Sequence, residues 1–170
     1  VALISNTRWE WAALDIAAIA GGALLAPLYA NLNDEDVTYI LNHCEADIVV
    51  LETKKHLEQF HRIENQLIKK LNPIIIDELN IDTDSLTEKQ IDAFIERAGL
   101  VQPEDPITII YTSGTTGQPK GVLMQLQALM SEVSETFALF RITEADTSLS
   151  FLPYAHVMGR IEHWGSCAIG

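Results

Sequence analysis

Residues 107–125 read Ile-Thr-Ile-Ile-Tyr-Thr-Ser-Gly-Thr-Thr-Gly-Gln-Pro-Lys-Gly-Val-Leu-Met-Gln, and this stretch decides the fold. The apolar runs Ile107 to Tyr111 and Gly121 to Met124 read as strands, so the turn between them joins strand to strand. Gly114 and Gly117 allow positive φ and a close approach to a ligand. Successive N–H groups in such a turn point into one concavity and make an anion site. Ser113, Thr115 and Thr116 add hydroxyl donors, and Lys120 adds a mobile full charge suited to a phosphate chain. The common P-loop differs, because there Gly-Lys-Ser/Thr opens a helix. Here Pro119 precedes Lys120 and a strand follows. An ordinary Gly/Ser/Thr turn is the alternative to a polyphosphate cradle.

Outward from this turn, strand and helix alternate. Trp9 to Ala20 is apolar on almost every side, as in a buried helix, and Leu24 to Leu28 is a short strand. Asn33 caps a helix through Cys44, with Asp34, Glu35 and Asp36 where the helix dipole favours negative charge. Ile48 to Leu51 is a strand. Leu57, Phe60, Ile63, Leu67, Ile68 and Leu71 recur at helical spacing, Pro73 closes that helix, and Ile74 to Ile76 is a strand. Asp77 to Leu86 is an acidic loop without periodicity. Thr87 and Gln90 form a capping box for a helix that Gly99 closes. Gln102 to Pro106 reads as a linker, Leu126 to Phe140 as an amphipathic helix, and Ser148 to Leu152 as a strand delivering His156 to a helix start. Such alternation predicts an α/β protein with largely parallel sheets flanked by helices. The expected division is a first α/β subdomain portion over 1–102. The start of a second, carrying the phosphate-binding loop, occupies 103–170.

Composition sets the outer limits. The chain has 170 residues, 48% of them hydrophobic, enough for one compact core or two small ones. A net charge of -13 argues against nucleic acid or an anionic membrane as the main partner, since either needs a basic face. Cys44 and Cys167 give no disulfide framework, fit a reducing, cytoplasmic setting, and read as small buried apolar residues. No run reaches the roughly 18 uninterrupted apolar residues of a membrane span, and no basic-then-apolar run with a cleavage site reads as a signal peptide. Peripheral membrane association and oligomeric state stay open. The chain opens on an apolar strand-like run and stops inside a helical pattern, so both ends read as cut from a longer protein. His43, His56 and His61 fall on polar helix faces and read as solvated. Trp9, Trp11 and Trp164 read as core, Trp164 nearest His156. His156 and His163 are spaced poorly for a metal, so no metal ligand is assigned.

The run Tyr111 to Gly121 resembles the phosphate-binding signature of the adenylate-forming enzymes, which include acyl-CoA synthetases and peptide-synthetase adenylation domains. Ser150-Phe151-Leu152-Pro153-Tyr154-Ala155-His156 is similar to that family's next motif. The continuation Ile161-Glu162-His163-Trp164 looks most like the long-chain fatty acyl-CoA synthetase branch. Asn6 to Trp11, Pro27-Leu28-Tyr29 and Asp36 to Leu41 follow that branch in order.

This resemblance implies the front part of an N-terminal domain, with ATP, magnesium and coenzyme A serving the reaction. A fatty acid would be activated to an acyl-adenylate and then passed to the coenzyme A thiol. It implies that Thr112, Ser113, Gly114, Thr115, Thr116, Gly117 and Lys120 hold the phosphates. Lys120 and His156 are the implied catalytic residues. Arg160, one helical turn after His156, reads as pairing with an acidic neighbour, the substrate carboxylate being the alternative. Where the family shows a Thr/Ser-His pair after the lysine strand, this chain has Met124-Gln125. The magnesium, ribose and hinge motifs of the family lie outside the chain, so these residues alone are expected to be inactive. Another adenylate-forming ligase, or a non-catalytic nucleotide-binding module, is the alternative.

Overall fold

A computed structural model of the chain describes residues 1–80, 85–112 and 117–169. Four short strands, β1 (Ala2–Ile4), β2 (Ala26–Leu28), β3 (Val49–Leu51) and β4 (Pro73–Ile75), form an all-parallel sheet in the order β2-β1-β3-β4. Six helices are present among the described residues: α1 (Trp9–Ala20), α2 (Asp34–His43), α3 (Lys54–Ile63), α4 (Glu88–Ala98), α5 (Leu126–Phe140) and α6 (Val157–Ile169). The antiparallel hairpin β5 (Pro106–Thr112) and β6 (Lys120–Gln125) completes the fold. This is the α/β architecture that the alternation of apolar runs predicts.

Side chains alternate across a strand, so a sheet covered on both faces needs apolar residues at every position. Here Ala2, Ile4, Ala26, Leu28, Val49 and Leu51 face Val37, Ile40 and Leu41 of α2 and Phe60 and Ile63 of α3. Leu3, Leu25 and Val50 face the other way, against Trp11 of α1. A third cluster joins Ile19, Ile107, Leu129, Val133 and Ile161. Full burial of each Val, Leu, Ile or Phe side chain among these contributes about 1.5–3 kcal/mol.

The hairpin attaches beside β2. Leu25 bridges Thr108 in parallel sense, its N–H donating to Ile107 O at 3.0 Å and its carbonyl accepting from Ile109 N at 2.9 Å. Because β5 runs parallel to β2, its Thr112 end lies on the side of the sheet where β1 to β4 have their carboxyl ends. In open α/β sheets that side carries the ligand crevice.

Several local expectations hold. The predicted span of α1 is observed, Asn33 Oδ1 accepts from Asp36 N at 2.8 Å, and the Thr87–Gln90 capping box is present.

Others need correction. The helix expected to run to Leu71 ends at Ile63 and passes into a 3₁₀ turn, Glu64–Gln66. Asn42 of α2 takes the backbone that would continue it: its Nδ2 donates to Gln66 O at 3.0 Å and its Oδ1 accepts from Ile68 N at 2.8 Å. Pro73 therefore opens β4 instead of closing a helix, and Ile76 leaves the strand for a 3₁₀ turn, Ile76–Glu78. Gly99 closes α4 but with φ -66°, not in the left-handed conformation.

Ser148 to Leu152 is not a strand. Its backbone is held by a side chain, Thr7 Oγ1 donating to Leu152 O at 2.9 Å and accepting from Tyr154 N at 3.2 Å. Trp9 is exposed: the buried face of α1 carries Trp11, Asp15 and Ile19, and Trp9 stands two residues before Trp11, about 160° round the helix from it. Cys167 is exposed as well, whereas Cys44 is half-buried with its thiol pushed up by burial. His56 is buried, not solvated, because it shares a helix face with Phe60 and Ile63. Its Nε2 lies 3.1 Å from Ala30 O and its Nδ1 3.0 Å from Thr53 Oγ1.

Candidate functional site

The antiparallel register sets Thr112 opposite Lys120 and Tyr111 opposite Gly121 at the mouth of the hairpin. Gly117 has φ 102°, a conformation open to glycine and strained for other residues. Ser113, Gly114, Thr115 and Thr116 lie outside the described residues. Lys120 is exposed and forms no ion pair among the described residues, so its ammonium is available to a ligand.

His156 immediately precedes α6. Its N–H donates to Pro153 O at 2.9 Å, and its Nδ1 accepts from Met158 N at 3.2 Å, capping one orphan donor of the helix. The imidazole therefore has a backbone role while remaining exposed. The approach of the Leu-Pro segment depends on Gly159: a Cβ there would stand 2.5 Å from Pro153 O and 3.1 Å from Leu152 O. Backbone cannot yield as a side chain tip can, so only glycine lets residues 152–153 lie against the first turn of α6.

Hairpin mouth and helix start meet around one cavity of about 450 Å³. Leu28, Ile40, Ile110 and Val157 give it apolar walls, while Tyr29, Asp36, Tyr111, Thr112 and His156 supply polar groups. Apolar walls with a few convergent polar groups are the ordinary makeup of a small-molecule site. Of the residues singled out from sequence, the structure brings Thr112 and His156 to this cavity with Pro119. Lys120 stands across the ladder from Thr112.

Sequence reasoning missed Tyr111, Asp36 and His43. The Tyr111 Oη lies 2.7 Å from His43 Nδ1, and the rings meet edge to face at 5.7 Å. Burial pushes the Tyr111 phenol well above its usual range, so it stays protonated. Tyr111 could be found in the signature run, but its partner is 68 residues away in sequence.

Behind His156, α6 is pinned to α1 by a fully buried ion pair. Arg160 Nη2 and Nε donate to the Asp15 carboxylate at 2.5 and 3.1 Å, and Trp164 Nε1 donates to it at 2.9 Å. The guanidinium also lies 5.9 Å from the Trp11 ring centre. Arg160 thus pairs with an acid, as expected from sequence. His163, buried one turn on, has its pKa lowered by that burial, with Asp15 opposing.

The sign of that shift gives a pH prediction. The unfolded chain binds the His163 proton more readily than the native one, so stability rises with pH across this titration. The contribution is present above about pH 6.5, the ordinary histidine value, and is lost as pH falls below it. Thermal melts at pH 7.5 and 5.5 should show a smaller drop for His163→Gln than for the parent protein. An equal drop would exclude His163 as the source.

The protein family described as AMP-binding enzyme matches residues 1–170. Long-chain-fatty-acid–CoA ligase FadD15 of Mycobacterium bovis is 32% identical over 170 residues, covering 94% of this chain and 28% of that protein. Human long-chain-fatty-acid–CoA ligase 1 is 28% identical over 185 residues, covering 95% of this chain and 26% of its own length. The chain therefore spans about a quarter of these relatives. Among solved structures, the inhibitor-bound N-terminal domain of FACL13 from Mycobacterium tuberculosis superposes with TM-score 0.76 at 22% identity, covering 99% of this chain and 42% of that one. At that identity the likeness shows the fold.

Proposed function

Because this chain belongs to the AMP-binding enzyme family, we propose that the protein of which it forms part is a long-chain fatty acid–CoA ligase. The observation that carries this reading is the hairpin mouth. An unpaired Lys120 faces Thr112 across the ladder, Gly117 turns at φ 102°, and the cavity beside them carries His156. The relatives named long-chain-fatty-acid–CoA ligases support the substrate class.

In the first step a carboxylate oxygen attacks the α-phosphorus of ATP, and the bond to the bridging oxygen of the leaving pyrophosphate breaks, giving an acyl-adenylate. In the second, the thiol sulfur of coenzyme A attacks the acyl carbon, the bond to AMP breaks, and the thiol proton is released. Phosphoryl-type transfer is met by positioning and by neutralising charge on oxygens. Thr112, Ser113, Gly114, Thr115, Thr116 and Gly117 supply hydroxyl and N–H donors to the β- and γ-phosphates. Lys120 offsets charge on the departing pyrophosphate. His156, held at the helix start by its backbone contacts, borders the acyl-adenylate. No group of three or more His, Cys, Asp or Glu side chains among the described residues could hold a metal. Magnesium would offset charge on the phosphates when bound, and the motif that the resemblance assigns to holding it lies outside this chain.

We place the junction between two subdomains at residues 102–103, ahead of the hairpin. No helix among the described residues is long and apolar enough to cross a membrane. The reading places the enzyme in the cytoplasm, meeting its lipid substrate there or at a membrane surface. The test is ATP–pyrophosphate exchange by the full-length protein with a panel of carboxylic acids. Long-chain fatty acids should stimulate exchange above short-chain, aryl and amino acids, and no stimulation by any fatty acid would remove the assignment.

A further inference from the structure

We propose that His43 is a positioning residue for the phosphate-binding hairpin, acting through Tyr111 to hold Thr112 and Lys120 in place. The inference rests on the reading of the hairpin mouth as the ATP phosphate site and adds a residue from a distant helix to it.

The hairpin is held unevenly. All of β6 from Lys120 to Leu123 is exposed, so that strand contributes little anchoring at the mouth. Strand β5 is tied at its base by the backbone bonds to Leu25, reinforced by Thr108 Oγ1 donating to Leu25 O at 2.7 Å. Near the mouth, Ile109 and Tyr111 pack against the main core, and the Tyr111 hydroxyl adds a polar tie to His43. Tyr111 is one residue before Thr112 and lies directly across from Gly121, the neighbour of Lys120. A Cβ on Gly121 would stand 3.3 Å from the Tyr111 ring, so the ring lies close over that backbone. Fixing the ring therefore fixes both strands where they enter the turn.

The other half of the contact is a rigid frame. His43 ends α2, a helix capped at its start by Asn33 and bound to α3 by the Arg62–Asp34 pair at 2.8 and 2.9 Å. Near its end, Asn42 grips the backbone of Gln66 and Ile68. The Tyr39 ring packs on His43 at 5.3 Å, limiting its rotation. A side chain so held can transmit the position of the main sheet to the hairpin.

The test compares full-length variants by ATP affinity, from calorimetry, and by exchange kinetics. His43→Leu and Tyr111→Phe should each weaken ATP binding about three- to tenfold, the factor that one hydrogen bond carries. In exchange, KM for ATP should rise by the same factor while KM for the fatty acid stays put. Asn places Oδ1 where Nδ1 stood, so His43→Asn should restore ATP affinity. The double variant His43→Leu/Tyr111→Phe should be no weaker than either single, because both remove one contact. His61→Ala, an exposed histidine paired with Glu64, is the control and should leave affinity unchanged.

Unchanged ATP affinity in both single variants would overturn the proposal, even with a lowered melting temperature. So would strictly additive losses with no rescue by asparagine. If the parent protein binds ATP but exchanges with no carboxylic acid, the ligase reading fails while the affinity comparison still decides the role of His43.

Discussion

Replacing Lys120 with alanine should lower the rate of ATP–pyrophosphate exchange by about hundredfold or more, the usual loss when one preorganised donor to developing charge is removed. The ammonium is exposed, unpaired among the described residues and set across from Thr112, so nothing in the fold depends on it. The melting temperature and circular dichroism should therefore match the parent protein. Lys120→Arg keeps the charge but exchanges a compact ammonium for a planar fork, and should recover part of the lost rate. The chain as a whole is strongly acidic, at net charge -13, so no general positive field stands in for this one group. An unchanged rate in the alanine variant would remove the lysine from the mechanism.

The second large effect is on stability. Asp15→Ala leaves the Arg160 guanidinium fully buried without its counter-charge, which should cost about 3–5 kcal/mol. The pair is inaccessible to solvent on both sides, and the same carboxylate also accepts from Trp164. Replacing both partners by apolar residues of similar size, as in Asp15→Leu/Arg160→Met, should recover most of that loss, because no lone charge then remains buried. Urea unfolding of the three proteins measures this. A double variant as unstable as the single one would mean that packing, not charge, dominates the site. Activity should follow the same order, since this pair holds the helix that His156 starts.

Local chemistry makes much of this fold legible in sequence. The bounds of α1, the Asn33 cap and the Thr87–Gln90 box depend on neighbours three to four residues apart, which a sequence displays directly. The hairpin is legible because two β-type runs flank a glycine-rich turn. Sequence reasoning fails where distant groups decide. The helix after Leu57 stops early because Asn42, from another helix, takes its backbone groups. His56 reads as polar surface until the β2–α2 connection folds over it.

The candidate site divides the same way. Thr112, Gly117 and Lys120 belong to one contiguous run, and their residue types point to anion binding by themselves. The pairing of Arg160 with an acid is expected from sequence, but its partner Asp15 sits in a helix that otherwise reads as apolar. The His43–Tyr111 contact has no local signal at all. It exists because the parallel attachment of β5 to β2 lays Tyr111 alongside α2, where its hydroxyl reaches His43, a consequence of topology.

The most direct test is the crystal structure of the full-length protein with a non-hydrolysable ATP analogue. The account predicts the β- and γ-phosphate oxygens within hydrogen-bond distance of Lys120 Nζ and of the backbone and hydroxyls between Thr112 and Gly117. A triphosphate bound elsewhere, with Lys120 pointing into solvent, would contradict it.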